Sequence, residues 1–185
     1  MRVKNVVTSV IGILIVIAAV IGAAWLLRAP EPYPRLILDA VEIRSVGNNS
    51  LAKARIIDDL DNHMGRVKDN AIVDEWDKLT TCLDAGCADD SLLDFILSVV
   101  ITRPEKVPHA RLVADVVVAG RFWGSGEVLK FSKAVTAANE AVAGLNAKSV
   151  DKKWDEIVAC DGKCAEKNSL IFDEVKLIVE MSLQQ

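Results

Sequence analysis

The chain has 185 residues, enough for one or two domains with a buried core. Its formal net charge is −4 and its pI is about 5.3, which gives no electrostatic case for a nucleic-acid partner. Half of the residues are hydrophobic, aromatic residues are few and only five residues are proline. Because the prolines are confined to two places and strong helix formers fill the rest, the composition predicts an all-α protein.

An uncharged segment, residues 6–27, follows a stub of residues 1–5. A helix of this length would rise about 33 Å, enough to cross the hydrocarbon core of a bilayer. The segment exceeds the apolar region of a signal peptide, so we expect a retained transmembrane anchor in contact with membrane lipid, although Gly22-Ala23-Ala24 leaves cleavage open. Flanking charges favour a single-pass protein with a cytoplasmic N-terminus and an extracytoplasmic main domain. Small residues along the segment leave homo-oligomerisation open.

A proline-rich stretch, residues 28–34, comes next and reads RAPEPYP. Alternating prolines disfavour a helix and favour an extended chain. The stretch is therefore predicted to be a stiff spacer between the anchor and the main domain.

An internal duplication organises the rest of the chain. Four residues recur at a constant spacing of 78 positions, namely Trp76, Cys82, Ser91 and Leu92, matched by Trp154, Cys160, Ser169 and Leu170. The apolar positions of 51–82 and 129–160 also coincide without a gap. We predict two copies of a four-helix unit, residues 35–103 and 109–185, joined by a linker at 104–108 and making about eight helices. Trp76 and Trp154 are the predicted core anchors.

Four cysteines form two close pairs, Cys82 with Cys87 and Cys160 with Cys164. The expected extracytoplasmic location favours disulfides, and a glycine in each loop supplies the turn that a local bridge needs. We therefore expect one disulfide to staple each helical corner. Bridges between the two units, a four-cysteine zinc site and a redox-active pair remain as alternatives.

Residues that could carry chemistry are sparse. His63 and His109 are isolated and not repeated, and no serine or cysteine lies in a nucleophile context, so no catalytic residue and no cofactor is predicted. The acidic residues Asp58, Asp59 and Asp61 are interpreted as a solvated helix face. Phe122 and Trp123, in a glycine-rich turn, are the candidate residues for contact with a partner if they are exposed.

These observations favour a non-enzymatic protein. We expect a membrane-anchored extracytoplasmic helical scaffold or protein-interaction module that binds an unidentified protein partner. One alternative is a ligand-binding sensor or enzyme with a pocket between the two repeat units. Another is a helical domain stabilised by zinc.

Overall fold

The computed structural model describes residues 31–47, 49–83, 89–123, 125, 127–145, 147–160 and 167–183. All regular structure within these ranges is helical, which confirms the predicted all-α class. The first four α-helices are α1 (Pro32–Ser45), α2 (Ser50–Met64), α3 (Asn70–Leu83) and α4 (Asp89–Thr102). A short 3-10 helix at Pro104–Lys106 lies in the predicted linker. The last four are α5 (Ala110–Phe122), α6 (Val128–Leu145), α7 (Lys148–Ala159) and α8 (Lys167–Leu183).

The start of α1 differs from the predicted spacer. The helix begins at Pro32, so Pro32 and Pro34 lie in its first turn and are buried. A helix tolerates proline there because the first N–H groups have no partner within the helix. Residues 28–30 of the predicted spacer lie outside the described residues.

The predicted single-pass membrane location is corrected by the structure. None of the described helices is long and apolar enough to cross a membrane. The very apolar α4, for instance, has 14 residues and rises about 21 Å, well short of a hydrocarbon core. On the helices that the structure describes, the prediction of a membrane protein with an extracytoplasmic domain is wrong. Residues 6–27, on which it depended, lie outside the described residues.

Four helices form a closed ring at the centre of the fold. Each of α1, α4, α5 and α8 packs against two others, in the order α1, α4, α5, α8 and back to α1. The remaining helices lie outside the ring, with α2 on α1, α3 on α4, α6 on α5 and α7 on α8. Equivalent helices of the two repeats are thus opposite each other, as a pseudo-two-fold axis requires. The part of the chain from Pro32 onward is one compact unit.

The duplication is visible in the burial of side chains. Four apolar positions on α2 and α3 are buried together with their counterparts 78 residues later, namely Leu60, Met64, Ile72 and Leu79 with Ala138, Val142, Val150 and Ile157. The same correspondence holds between α1 and α5 at a spacing of 76, as for Ile37 and Val113. The repeat is therefore a repeat of packing positions as well as of sequence.

The last pair of helices departs from the sequence match. Leu92 is buried whereas Leu170 is only partly buried, so these two leucines are not structural equivalents. A spacing of 79 instead matches every buried position of α4 with a buried position of α8, namely Leu92, Leu93, Phe95, Ile96, Val99 and Val100 with Ile171, Phe172, Glu174, Val175, Ile178 and Val179. One consequence is that the buried Glu174 takes the place of Phe95.

We expect Gly120→Ala to destabilise the fold by about 1–3 kcal/mol, because overpacking a tight helix contact forces side chains or backbone to shift. A Cβ atom at Gly120, on α5, would lie 2.8 Å from Cγ2 of Ile171 on α8. The matched control is Gly144→Ala in α6, where a Cβ atom would meet nothing within 4 Å. The control should gain about 0.5–1 kcal/mol from helix propensity. Urea unfolding of the full-length variants measures both, and a stable Gly120→Ala variant would contradict the close packing.

Candidate functional site

Each repeat fixes its tryptophan with the same hydrogen bond. Both side chains are buried, and the indole Nε1 of Trp76 donates to Oδ1 of Asp61 at 2.9 Å. Trp154 donates to Oδ1 of Asn139 at 2.5 Å. Asp61 and Asn139 are equivalent residues, so the bond joins the third helix of each repeat to the second. The helix face that was interpreted as solvated therefore includes one aspartate with a structural role. The only signal in the sequence is that Asp61 and Asn139, which can both accept a hydrogen bond, are 78 residues apart, as the two tryptophans are.

The two first cysteines lie at equivalent helix ends. Cys82 is near the end of α3, Cys160 directly follows α7, and both are half-buried. Neither is a free thiol. Cys87 and Cys164 lie outside the described residues, and no two cysteines within those residues are at bonding distance. The described part of the chain thus gives no support to a bridge between Cys82 and Cys160.

The histidines do not assemble a catalytic set in the described structure. Nδ1 of His63 lies 2.8 Å from Oδ2 of Asp39, a contact between α2 and α1. Burial raises the pKa of Asp39, and the hydrogen bond with His63 opposes that shift. His109 lies at the start of α5 with a left-handed backbone, φ 50°, and its side chain is exposed. His63 is best explained as the hydrogen-bond partner that offsets the cost of burying the Asp39 carboxyl group.

An apolar pocket lies in the second repeat, between α5, α6 and α7. Its volume is about 220 Å³. The aromatic rings of Trp123 and Phe131 pack against each other in its wall, with centroids 5.6 Å apart and planes inclined by 49°. Val128 and Val158, which are 72% and 43% exposed, line it near the solvent. The pocket lies inside one repeat, so it is not the predicted pocket between the two units.

The two candidate contact residues have different environments. Trp123 is only 3% exposed, so the condition on which it was a candidate for partner contact is not met, although it does line the pocket. Phe122 is half-buried, and Nζ of Lys130 lies 5.1 Å from the centroid of its ring. This geometry is that of a cation–π contact. The structure therefore assigns Trp123 to the pocket and Phe122 to the adjacent surface.

The first repeat lacks the features that build this pocket. The counterpart of Phe131 is Lys53, whose Nζ donates to the backbone carbonyl of Leu83 at 2.7 Å. The counterpart of Trp123 is Gly47, which has a positive φ of 53°. The two repeats therefore differ at residues that form the apolar pocket, and sequence reasoning missed the pocket because its residues come from three helices.

The chemistry of the pocket is that of a binding site. Its lining side chains are apolar or aromatic apart from the hydroxyl groups of Ser132 and Thr136, and none of them is charged. Within the described ranges no group of three or more His, Cys, Asp or Glu side chains could hold a metal ion. The pocket suits an apolar group and offers no general acid or base.

No protein-family model, no curated protein and no solved structure matches this chain.

We expect Asp61→Ala to lower the free energy of unfolding by about 1–2 kcal/mol, because it leaves the indole N–H of buried Trp76 without its acceptor. Asp61→Asn, which copies the second repeat, should retain most of the stability. The control is Asp58→Ala, which removes an exposed carboxylate from the same helix and should change stability by less than about 0.5 kcal/mol. Urea unfolding measures the series, and equal effects of the two alanine variants would refute the anchoring role.

Proposed function

We propose that this protein is a non-catalytic helical protein-interaction module that captures one large apolar side chain of a partner protein. The observation that carries the proposal is the apolar pocket between α5, α6 and α7. Its aromatic wall, formed by Trp123 and Phe131, supplies the apolar contact area that dominates interface energetics. Two of the side chains that line the pocket, Val128 and Val158, are themselves exposed to solvent.

The size of the pocket favours a protein partner over a small-molecule ligand. Its volume of about 220 Å³ is below the roughly 300–1,000 Å³ of typical small-molecule sites. Protein interfaces, in contrast, often depend on single large side chains that fill well-packed pockets. The exposed Val128 and Val158, and Leu129 next to Val128 in the chain, provide apolar surface for the residues that flank such an anchor. An amphipathic partner helix with one aromatic or leucine anchor meets both requirements.

A displayed library of random peptides tests this function with the full-length chain as bait. We expect selected peptides to share a leucine or aromatic anchor. Three variants place the equivalent residue of the first repeat into the pocket, namely Val128→Ser, Phe131→Lys and Val158→Thr. Of these, Phe131→Lys should weaken peptide binding at least tenfold, which is equivalent to about 1.4 kcal/mol. The control is Leu51→Ser, which removes the exposed leucine equivalent to Leu129 from the first repeat. Peptides that bind all three pocket variants as tightly as the unmodified chain would disprove the proposed site.

We further propose that Cys82 is bonded to Cys87 and Cys160 to Cys164. The supporting observation is that Cys82 and Cys160 lie at equivalent helix ends and neither is a free thiol. A bridge across so short a loop constrains the unfolded chain and contributes on the order of 2 kcal/mol.

Mass spectrometry of the unreduced, alkylated protein tests the pairing. Trypsin cleaves after Lys163, between Cys160 and Cys164, so we expect the two flanking peptides to remain linked until a reductant is added. Cys82 and Cys87 share one tryptic peptide, which should appear two hydrogen masses lighter than its reduced form. Four alkylated cysteines together with one bound zinc ion would instead establish the zinc alternative.

A further inference from the structure

Glu174 is a buried carboxyl group without a hydrogen-bond partner. It lies on α8 and its side chain is 0% exposed. Neither Oε1 nor Oε2 accepts a hydrogen bond from any residue that the structure describes. Burying an unpaired carboxylate is costly, so the position needs a physical explanation.

The equivalent position in the first repeat is fully apolar. Phe95 lies there, also at 0% exposure, and its ring packs against Trp76 with centroids 5.7 Å apart and planes inclined by 52°. The first repeat thus closes the contact between its third and fourth helices with two aromatic rings. The second repeat has the matching tryptophan, Trp154, but a carboxyl group in place of the second ring.

The charged groups around Glu174 show which helix it faces. Lys153 and Asp151 act on it electrostatically, and both belong to α7. The helices α1 and α5 also pack against α8, but no charged group of theirs within the described residues acts on this carboxyl. The equivalent residue of the first repeat, Phe95, packs on the tryptophan of the third helix, and the same position in the second repeat places Glu174 at the interface between α7 and α8.

That interface is the main attachment of α7. Among the described elements α7 packs against α8 and α6, and its contact with α8 is the more extensive. On the same helix, Ile157 and Val158 line the apolar pocket. A change in how α7 is held by α8 therefore changes one wall of the pocket.

We propose that Glu174 is a proton-sensitive latch: loss of its proton makes α7 separate more readily from α8, and the apolar pocket then loses its α7 wall. The latch rests on the burial of the Glu174 carboxyl between α7 and α8. Its link to the pocket rests on the proposed function. The first repeat, with Phe95 at the equivalent position, has no such latch.

The direction of the pH effect follows from the environment. Burial raises the pKa of Glu174 to about 8 from an ordinary value of 4.5, Lys153 opposes this shift and Asp151 adds to it. When α7 opens and water reaches the carboxyl, its pKa returns towards the ordinary value. Opening therefore releases a proton between pH 4.5 and about 8, and each pH unit in that window favours opening by up to tenfold. Above about pH 8 both states are ionised and the effect levels off.

Hydrogen–deuterium exchange of the full-length chain between pH 5.5 and 9, corrected for intrinsic exchange rates, tests the latch. The protection of amides in α7 should fall by up to tenfold per pH unit until about pH 8, whereas Glu174→Gln should abolish this dependence. Glu174→Leu serves the same purpose if the glutamine variant does not fold. The internal control is α3, in which amide protection should not fall with pH as it does in α7.

The latch is refuted if α7 protection in the unmodified chain does not change with pH, or if the glutamine variant keeps the same dependence. It is also refuted if α3 loses protection in step with α7, since that pattern reports global unfolding. The affinity of a pocket-selected peptide at pH 6 and 8.5 tests the second half of the proposal. A pH-dependent α7 with unchanged peptide affinity would refute the link to the pocket, whereas peptides insensitive to the pocket variants would refute the proposed function and leave the latch standing.

Discussion

The four central helices can bury their apolar faces only if the first helix meets the last. The contact between α1 and α8 closes the ring that α4 and α5 continue, and neither repeat contains a complete ring by itself. The outer helices then attach to this ring. The tight approach of α5 to α8 at Gly120 and Ile171 shows how closely neighbouring helices of the ring pack. Closure of the ring explains why a duplicated sequence folds as one compact unit from Pro32 onward.

The two repeats agree at their tryptophan anchors and differ at the apolar pocket and at one buried position of the fourth helix. Both keep a buried tryptophan whose indole N–H is bonded to the second helix, through Asp61 in one case and Asn139 in the other. The pocket residue Phe131 corresponds to a lysine of the first repeat, and the buried Glu174 corresponds to a phenylalanine. In the second repeat both positions lie in the environment of α7.

Polar contacts reinforce this division between the repeats. In the first repeat the guanidinium group of Arg103 donates two hydrogen bonds to Asp69, at 2.6 and 2.9 Å, and Tyr33 donates a third at 2.9 Å. Arg103 holds the pKa of Asp69 below its ordinary value. The second repeat has Ala147 where the first has Asp69, and Ala141 where the first has His63. The first repeat therefore has two polar contacts between segments distant in the chain, at Asp69 and at His63, that the residues at the equivalent positions of the second repeat cannot form.

The sequence by itself determined the helical class, the number of helices and the duplication, because amphipathic period and residue spacing are local properties. It could not determine the order of helices around the ring, since a hydrophobic face does not specify which helix covers it. For the same reason the match of Leu92 with Leu170 was one residue out of register with packing, and the sequence left open whether Trp123 is exposed or, as the structure shows, buried in the pocket wall. In the sequence Glu174 looks like an ordinary charged residue of a helix, because its burial depends on how α8 packs against the other helices. The role of Trp76 and Trp154 as core anchors followed from the sequence, whereas only the folded arrangement placed the pocket and the buried carboxyl at positions where the two copies differ.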